Sequence, residues 1–121
     1  MNDQKPILAV LSDLMFRVRI EEAAKRAGVV MIFAHNQEQA LAEAKKQPSL
    51  VIFDLDNQSV APAEMIASLR SDPETRELRL LGYVSHVRTD RIKAAQAAGC
   101  DRVIARSAFV QQLPALLTEE S

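Results

Sequence analysis

Asp54 and Asp56 are two carboxylates one residue apart, and they follow directly on the apolar run Leu50, Val51, Ile52, Phe53. Four consecutive apolar residues, two of them β-branched, predict a strand covered on both faces, as in the middle of a parallel sheet. In an open α/β sheet, ligands and chemistry gather at the carboxyl ends of the strands, which is where Asp54 falls. Strand position alone leaves two readings: a working acid, or a residue that ends the strand and caps the loop. The other strand ends supply Ser12 and Asp13, Ser85 and His86, and Arg106 and Ser107. An aspartate acting as nucleophile toward a phosphoryl donor needs such company. Phosphoryl transfer asks the protein mainly for positioning and charge neutralisation, through a carboxylate-held divalent cation, a cationic side chain and a hydroxyl.

The elements that must position these residues are readable from periodicity. Residues 7–11 form a first strand-like run. From Leu14 the period becomes helical, with Phe16, Ile20, Ala23, Ala24 and Ala27 on one face and Gly28 as the stop. Residues 29–33 predict a second strand. Asn36 with Gln39 predicts an N-cap and capping box for a helix reaching Gln47, closed by Pro48. After the strand at Asp54 comes a polar loop over 57–61. A short helix follows, starting near Pro62 with Met65, Ile66 and Leu69 inward and interrupted at Asp72-Pro73. Residues 80–84 predict a fourth strand, 89–98 a fourth helix ended by Gly99, and 103–105 a short fifth strand. Ser107 is expected to cap a last helix carrying Phe109, Leu113, Leu116 and Leu117, kinked or broken at Pro114. Five strands alternating with five helices predict an α/β fold with a parallel sheet covered on both sides.

Composition narrows the function classes. The 121 residues, 48% apolar and 26% charged, predict one globular domain over 1–121. A formal net charge of -1 offers no nucleic-acid footprint, and no apolar run is long enough for a membrane span. The N-terminus lacks the layout of a signal peptide, so a cytoplasmic domain is expected. Glycine occurs only at 28, 82 and 99, which excludes a glycine-rich phosphate loop. His35 and His86 have no metal-ligand spacing, and the single cysteine, Cys100, reads as a small core residue. The charged segment 70–79 reads as a solvated helix end and loop.

Three stretches resemble the receiver domain of two-component response regulators: Val51-Ile52-Phe53-Asp54, Leu69-Arg70-Ser71-Asp72-Pro73-Glu74-Thr75, and Ala98-Gly99-Cys100-Asp101 followed by Arg106-Ser107. The resemblance implies a flavodoxin-like (βα)5 sandwich with strand order 2-1-3-4-5. It implies Asp54 as phospho-acceptor, Ser85 as switch hydroxyl and Arg106 in place of the phosphate-contacting lysine, with Ser107 replacing its proline. Asp56 takes the position whose backbone carbonyl contacts the metal. The family's magnesium-holding acid pair falls on Leu11 and Ser12, with Asp13 one residue too late. A site built from Asp13, Asp54 and Asp56 is therefore expected to hold magnesium weakly. Val103 stands where the family has a swinging aromatic, and His86 where it has an alanine.

The function implied is phosphorelay signalling without enzymatic activity. A histidine kinase or phosphotransfer protein would be the donor, and the output a protein contact through the fourth helix, fifth strand and fifth helix. No nucleic acid or membrane partner is expected. The competing reading is a phosphorylation-independent pseudo-receiver serving purely as an interaction module.

Overall fold

The computed structural model describes residues 5–57, 61–85 and 89–118. Its elements alternate as β1 (Ile7–Val10), α1 (Leu14–Ala27), β2 (Met31–Ala34), α2 (Gln37–Ala44), β3 (Leu50–Asp54), α3 (Pro62–Ser71), β4 (Leu80–Val84), α4 (Thr89–Ala98), β5 (Arg102–Ala105) and α5 (Arg106–Thr118). The five strands form one parallel sheet in the order β2-β1-β3-β4-β5. This is the flavodoxin-like arrangement that the resemblance implied. Among the described residues no helix is long and apolar enough to cross a membrane.

Strand alternation sorts the apolar side chains onto two faces. Ile7, Ala9, Leu50, Ile52, Leu81 and Tyr83 pack with Phe16 and Ile20 of α1 and Phe109, Leu113 and Leu116 of α5. Leu8, Val10, Val51, Phe53, Leu80 and Val84 pack with Ala40 of α2, Met65, Ile66 and Leu69 of α3, and Ala95 of α4. β3 is central and buried along its length until Asp54, so burial in the middle of the sheet explains its unbroken apolar run.

The element ends differ in detail from the sequence expectations. Gly28 does stop α1, with φ of 71° in the left-handed region that glycine adopts without strain. α2 closes at Ala44, short of Gln47, because Gln47 itself turns left-handed (φ 65°) ahead of Pro48. β2 and β5 begin at Met31 and Arg102 instead of 29 and 103. α5 starts directly at Arg106, so Ser107 lies inside its first turn and is not its cap. The helix also runs on through Pro114, so of the kink or break expected there the break does not occur.

In the charged segment 70–79, Glu74, Arg76 and Glu77 are exposed as expected, but Arg70 is a correction of substance. Arg70 is a tie between elements, not a solvated helix end. Its Nε donates to the Gly99 carbonyl (2.8 Å), Nη1 to the carbonyls of Arg76 and Leu78 (2.7 Å each), and Nη2 to Asp101 Oδ2 (2.9 Å). Asp101 Oδ2 in turn accepts the Leu80 N–H at 2.8 Å. Gly99 is needed there: its φ is 112°, and a Cβ would come within 2.7 Å of Arg70 Cγ. Cys100 is buried, as expected of a core residue, and its burial pushes the thiol pKa up.

Candidate functional site

The carboxyl edge of the sheet brings the candidate residues into two polar clusters with Asp54 related to both. β3 delivers Asp54 half-buried, paired in register with Tyr83 of β4. A tight turn follows, in which Asp54 Oδ1 accepts the Asp56 N–H at 2.9 Å and the Asp54 carbonyl accepts the Asn57 N–H at 3.0 Å. Among the described residues no ion pair reaches Asp54. Burial is the main cause that raises its pKa above the ordinary aspartate value. The charges of Asp56 and Asp13 add to that rise, against the Asp56 N–H and Arg106.

The first cluster joins α1 to α5. Asp13 is the N-cap of α1, with Oδ1 accepting the Phe16 N–H at 3.1 Å, an assignment its place just before the helical period signals. Its Oδ2 pairs with Arg106 Nη2 at 3.0 Å. The Arg106 guanidinium also lies 4.1 Å from the centre of the Phe16 ring. The Phe16 N–H and then Arg106 outweigh desolvation and lower the Asp13 pKa.

The second cluster joins the ends of β3, β4 and α4. Asp56 Oδ2 accepts both the N–H and the O–H of Ser85, at 2.7 Å each. Asp56 Oδ1 accepts Arg91 Nη1 at 2.6 Å. Burial acts to raise the Asp56 pKa, but the two Ser85 donors and Arg91 prevail, and the carboxyl is held below its usual value. Sequence reasoning missed Arg91: nothing in its local pattern says that the first turn of α4 faces the end of β3. His86 lies outside the described residues.

Tyr83 was missed as well. It is buried with its ring 4.7 Å from that of Phe109 and 5.1 Å from that of Phe16. Its hydroxyl has no hydrogen-bond partner among the described residues. Burial, followed by the Asp54 charge, pushes its pKa far up, so it stays a neutral donor. Val103, by contrast, packs against the opposite core, beneath α4.

A divalent cation fits this donor set poorly. Leu11 is apolar and buried, and the Ser12 hydroxyl donates to Asn57 Oδ1 at 3.5 Å. Asp13 and Asp56 each already use both oxygens, in part on arginines. Among the described residues no metal-holding group of histidines, cysteines and carboxylates gathers. Magnesium titration followed by amide shifts at Asp13, Asp54 and Asp56 is expected to show no saturation below the millimolar range. Saturation well below it would mean that one of the arginines gives way to the metal.

No family model matches the sequence, and no curated protein matches it. Solved structures do match. A response regulator from Hahella chejuensis superposes with a TM-score of 0.85 at 20% identity, over 95% of this chain and 93% of that one. The receiver domain of a sensor histidine kinase from Pseudomonas aeruginosa, with a magnesium ion coordinated in its active-site cleft, gives 0.83 at 15% identity over 97% of both chains. A phosphorylated cyanobacterial phytochrome response regulator gives 0.78 at 21% identity, over 94% of this chain and 89% of that one. With five parallel strands in the order 2-1-3-4-5 and near-complete overlap with these structures, the chain has the fold of the response-regulator receiver domains.

Proposed function

We propose that this chain is a receiver-type signalling domain of a phosphorelay, with Asp54 as its phospho-acceptor and no catalytic turnover of its own. The observation that carries the reading is the contrast among three carboxylates at one sheet edge. Asp13 and Asp56 are each neutralised by an arginine, whereas Asp54 has no ion pair among the described residues and a raised pKa. A more basic, half-buried carboxylate at the end of the central strand is the better nucleophile. An Asp54 oxygen would bond to the phosphorus of a phosphohistidine as the P–N bond breaks, and the departing imidazole would take up a proton. The donor would be a histidine kinase or phosphotransfer protein, and the output surface α4, β5 and α5.

The test is incubation with a small phosphoryl donor and magnesium, read by intact mass and peptide mapping. One phosphoryl group on the peptide carrying Asp54, absent in Asp54→Asn, is the expected result. No adduct, or an adduct that survives Asp54→Asn, contradicts the reading.

A second reading, an interaction module independent of phosphorylation, is favoured by one specific arrangement. The groups that would meet a phosphoryl oxygen are already engaged: Ser85 by Asp56, and Arg106 by Asp13. If that reading holds, the mass experiment gives no adduct while the fold and its partner contacts persist.

A further inference from the structure

An oxyanion added at Asp54 would call for a hydroxyl, a backbone N–H and a cation from the neighbouring strand and helix ends. Asp56 already collects one of each. Its Oδ2 takes the Ser85 O–H and N–H, and its Oδ1 takes the Arg91 guanidinium from the first turn of α4, all at 2.6 to 2.7 Å. The Asp56 backbone is itself fixed by the Asp54 carboxylate at 2.9 Å. Ser85 at the end of β4 and Arg91 in α4 therefore reach back 29 and 35 residues to a single side chain, which sits only two residues from the candidate acceptor.

Nothing in the strand-end geometry requires this arrangement. The turn after β3 is closed without the Asp56 side chain: the Leu55 N–H bonds the Tyr83 carbonyl, the Asn57 N–H the Asp54 carbonyl, and the Asp56 N–H the Asp54 carboxylate. The Asp56 side chain is additional. Its bonds run outward to the β4–α4 side and not inward to the turn.

We propose that Asp56 is a built-in acidic stand-in for a phosphoryl group: a positioning residue that holds Ser85 toward the end of β3 and fixes α4 with Asp54 unmodified. The proposal deepens the receiver-type reading and rests on it for what a fixed α4 surface is used for. The holding itself does not depend on Asp54 accepting a phosphoryl group. Short bonds to a carboxylate are charge-assisted and stronger than neutral ones, so Ser85 and Arg91 leave Asp56 only for a competitor of greater charge. Among the described residues, the charged groups near Asp56 are Asp54 on β3 and Arg91 on α4. Arg106 at the start of α5 is turned away, toward Asp13 and the Phe16 ring.

The experiment is amide hydrogen exchange on the unphosphorylated chain, with no phosphoryl donor or metal present. Asp56→Ala is expected to speed exchange by about tenfold or more at Ser85 and through Thr89–Ala98, while β1 and β3 keep their protection. Asp56→Asn, which keeps a neutral acceptor of the same shape, is expected to give a smaller acceleration over the same residues, and it carries the test should the alanine variant not fold. Unchanged exchange in α4 overturns the proposal. So does acceleration spread evenly over the sheet, which would make Asp56 an ordinary contributor to stability. The phospho-acceptor reading fails separately, through the absence of an adduct on Asp54, and that failure leaves the exchange result untouched.

Discussion

Arg70→Ala is expected to cost the fold about 3 to 4 kcal/mol on chemical denaturation, more than the loss of either arginine partner at the sheet edge. The substitution removes four hydrogen bonds from a charged donor, three of them to the backbone carbonyls of Gly99, Arg76 and Leu78. Each such bond is worth roughly 1.5 to 3 kcal/mol in isolation, and water replaces part of that because the side chain keeps 22% of its exposure. Asp101 would lose its cation but keep the Leu80 N–H. Arg70→Lys should recover little, since one ammonium cannot reach three carbonyls spread over two chain segments, 76–78 and Gly99. A loss below about 1 kcal/mol would mean that the segment 70–79 is the solvated run its composition suggests.

Asp54→Asn and Asp56→Asn are expected to change stability in opposite directions, although the residues are two apart. The Asp56 pKa is lowered in the fold, so its charge stabilises at neutral pH, and that contribution is lost as pH falls through its depressed folded value. Losing the charged acceptor of Ser85 and Arg91 should cost about 2 kcal/mol at pH 7. The Asp54 pKa is raised, chiefly by burial, so ionising it opposes folding. That penalty is absent below the ordinary unfolded pKa of about 3.9 and sets in as pH rises from there through the folded value. Asp54→Asn should therefore be neutral or stabilising by up to about 1 kcal/mol at pH 7, with the gain vanishing in acid. Urea melts across this pH range check both signs. A loss of more than about 1 kcal/mol for Asp54→Asn would make Asp54 a structural cap.

The architecture is legible in the sequence because its signals are local. Buried central strands read as apolar runs, helices as a period with caps, and Gly28 and Gly99 as stops. Asp54 is legible for the same reason, as the polar end of such a run. Which partners the polar residues choose is not legible. Asp13 and Asp56 can each be placed at a strand end, but their pairing with Arg106 and Arg91 spans 93 and 35 residues. Only the topology brings those partners together. Arg70 reads as solvated for that reason, since its partners at Gly99 and Asp101 lie beyond β4 and α4 in sequence. The orphan hydroxyl of Tyr83 is also a property of three-dimensional surroundings, and a tyrosine in a strand carries no sign of it.

The central question is whether a phosphoryl group at position 54 would find its switch already satisfied. Moving a two-state element almost completely takes about 5.5 kcal/mol of differential stabilisation, and one hydroxyl hydrogen bond to a charged group supplies roughly half of that at best. Here Ser85 would first have to leave Asp56. The direct measurement couples a phosphonomethyl group to the thiol of Asp54→Cys and compares amide shifts with the uncoupled protein. Cys100, buried and with its thiol pKa pushed up, should be spared by the reagent. If Asp56 already holds the switch, shifts stay confined to residues around positions 54 to 57 and Ser85, with Thr89–Ala98 unmoved. A wholesale shift across Thr89–Ala98 would contradict that and show that the phosphoryl group displaces Asp56 and drives α4.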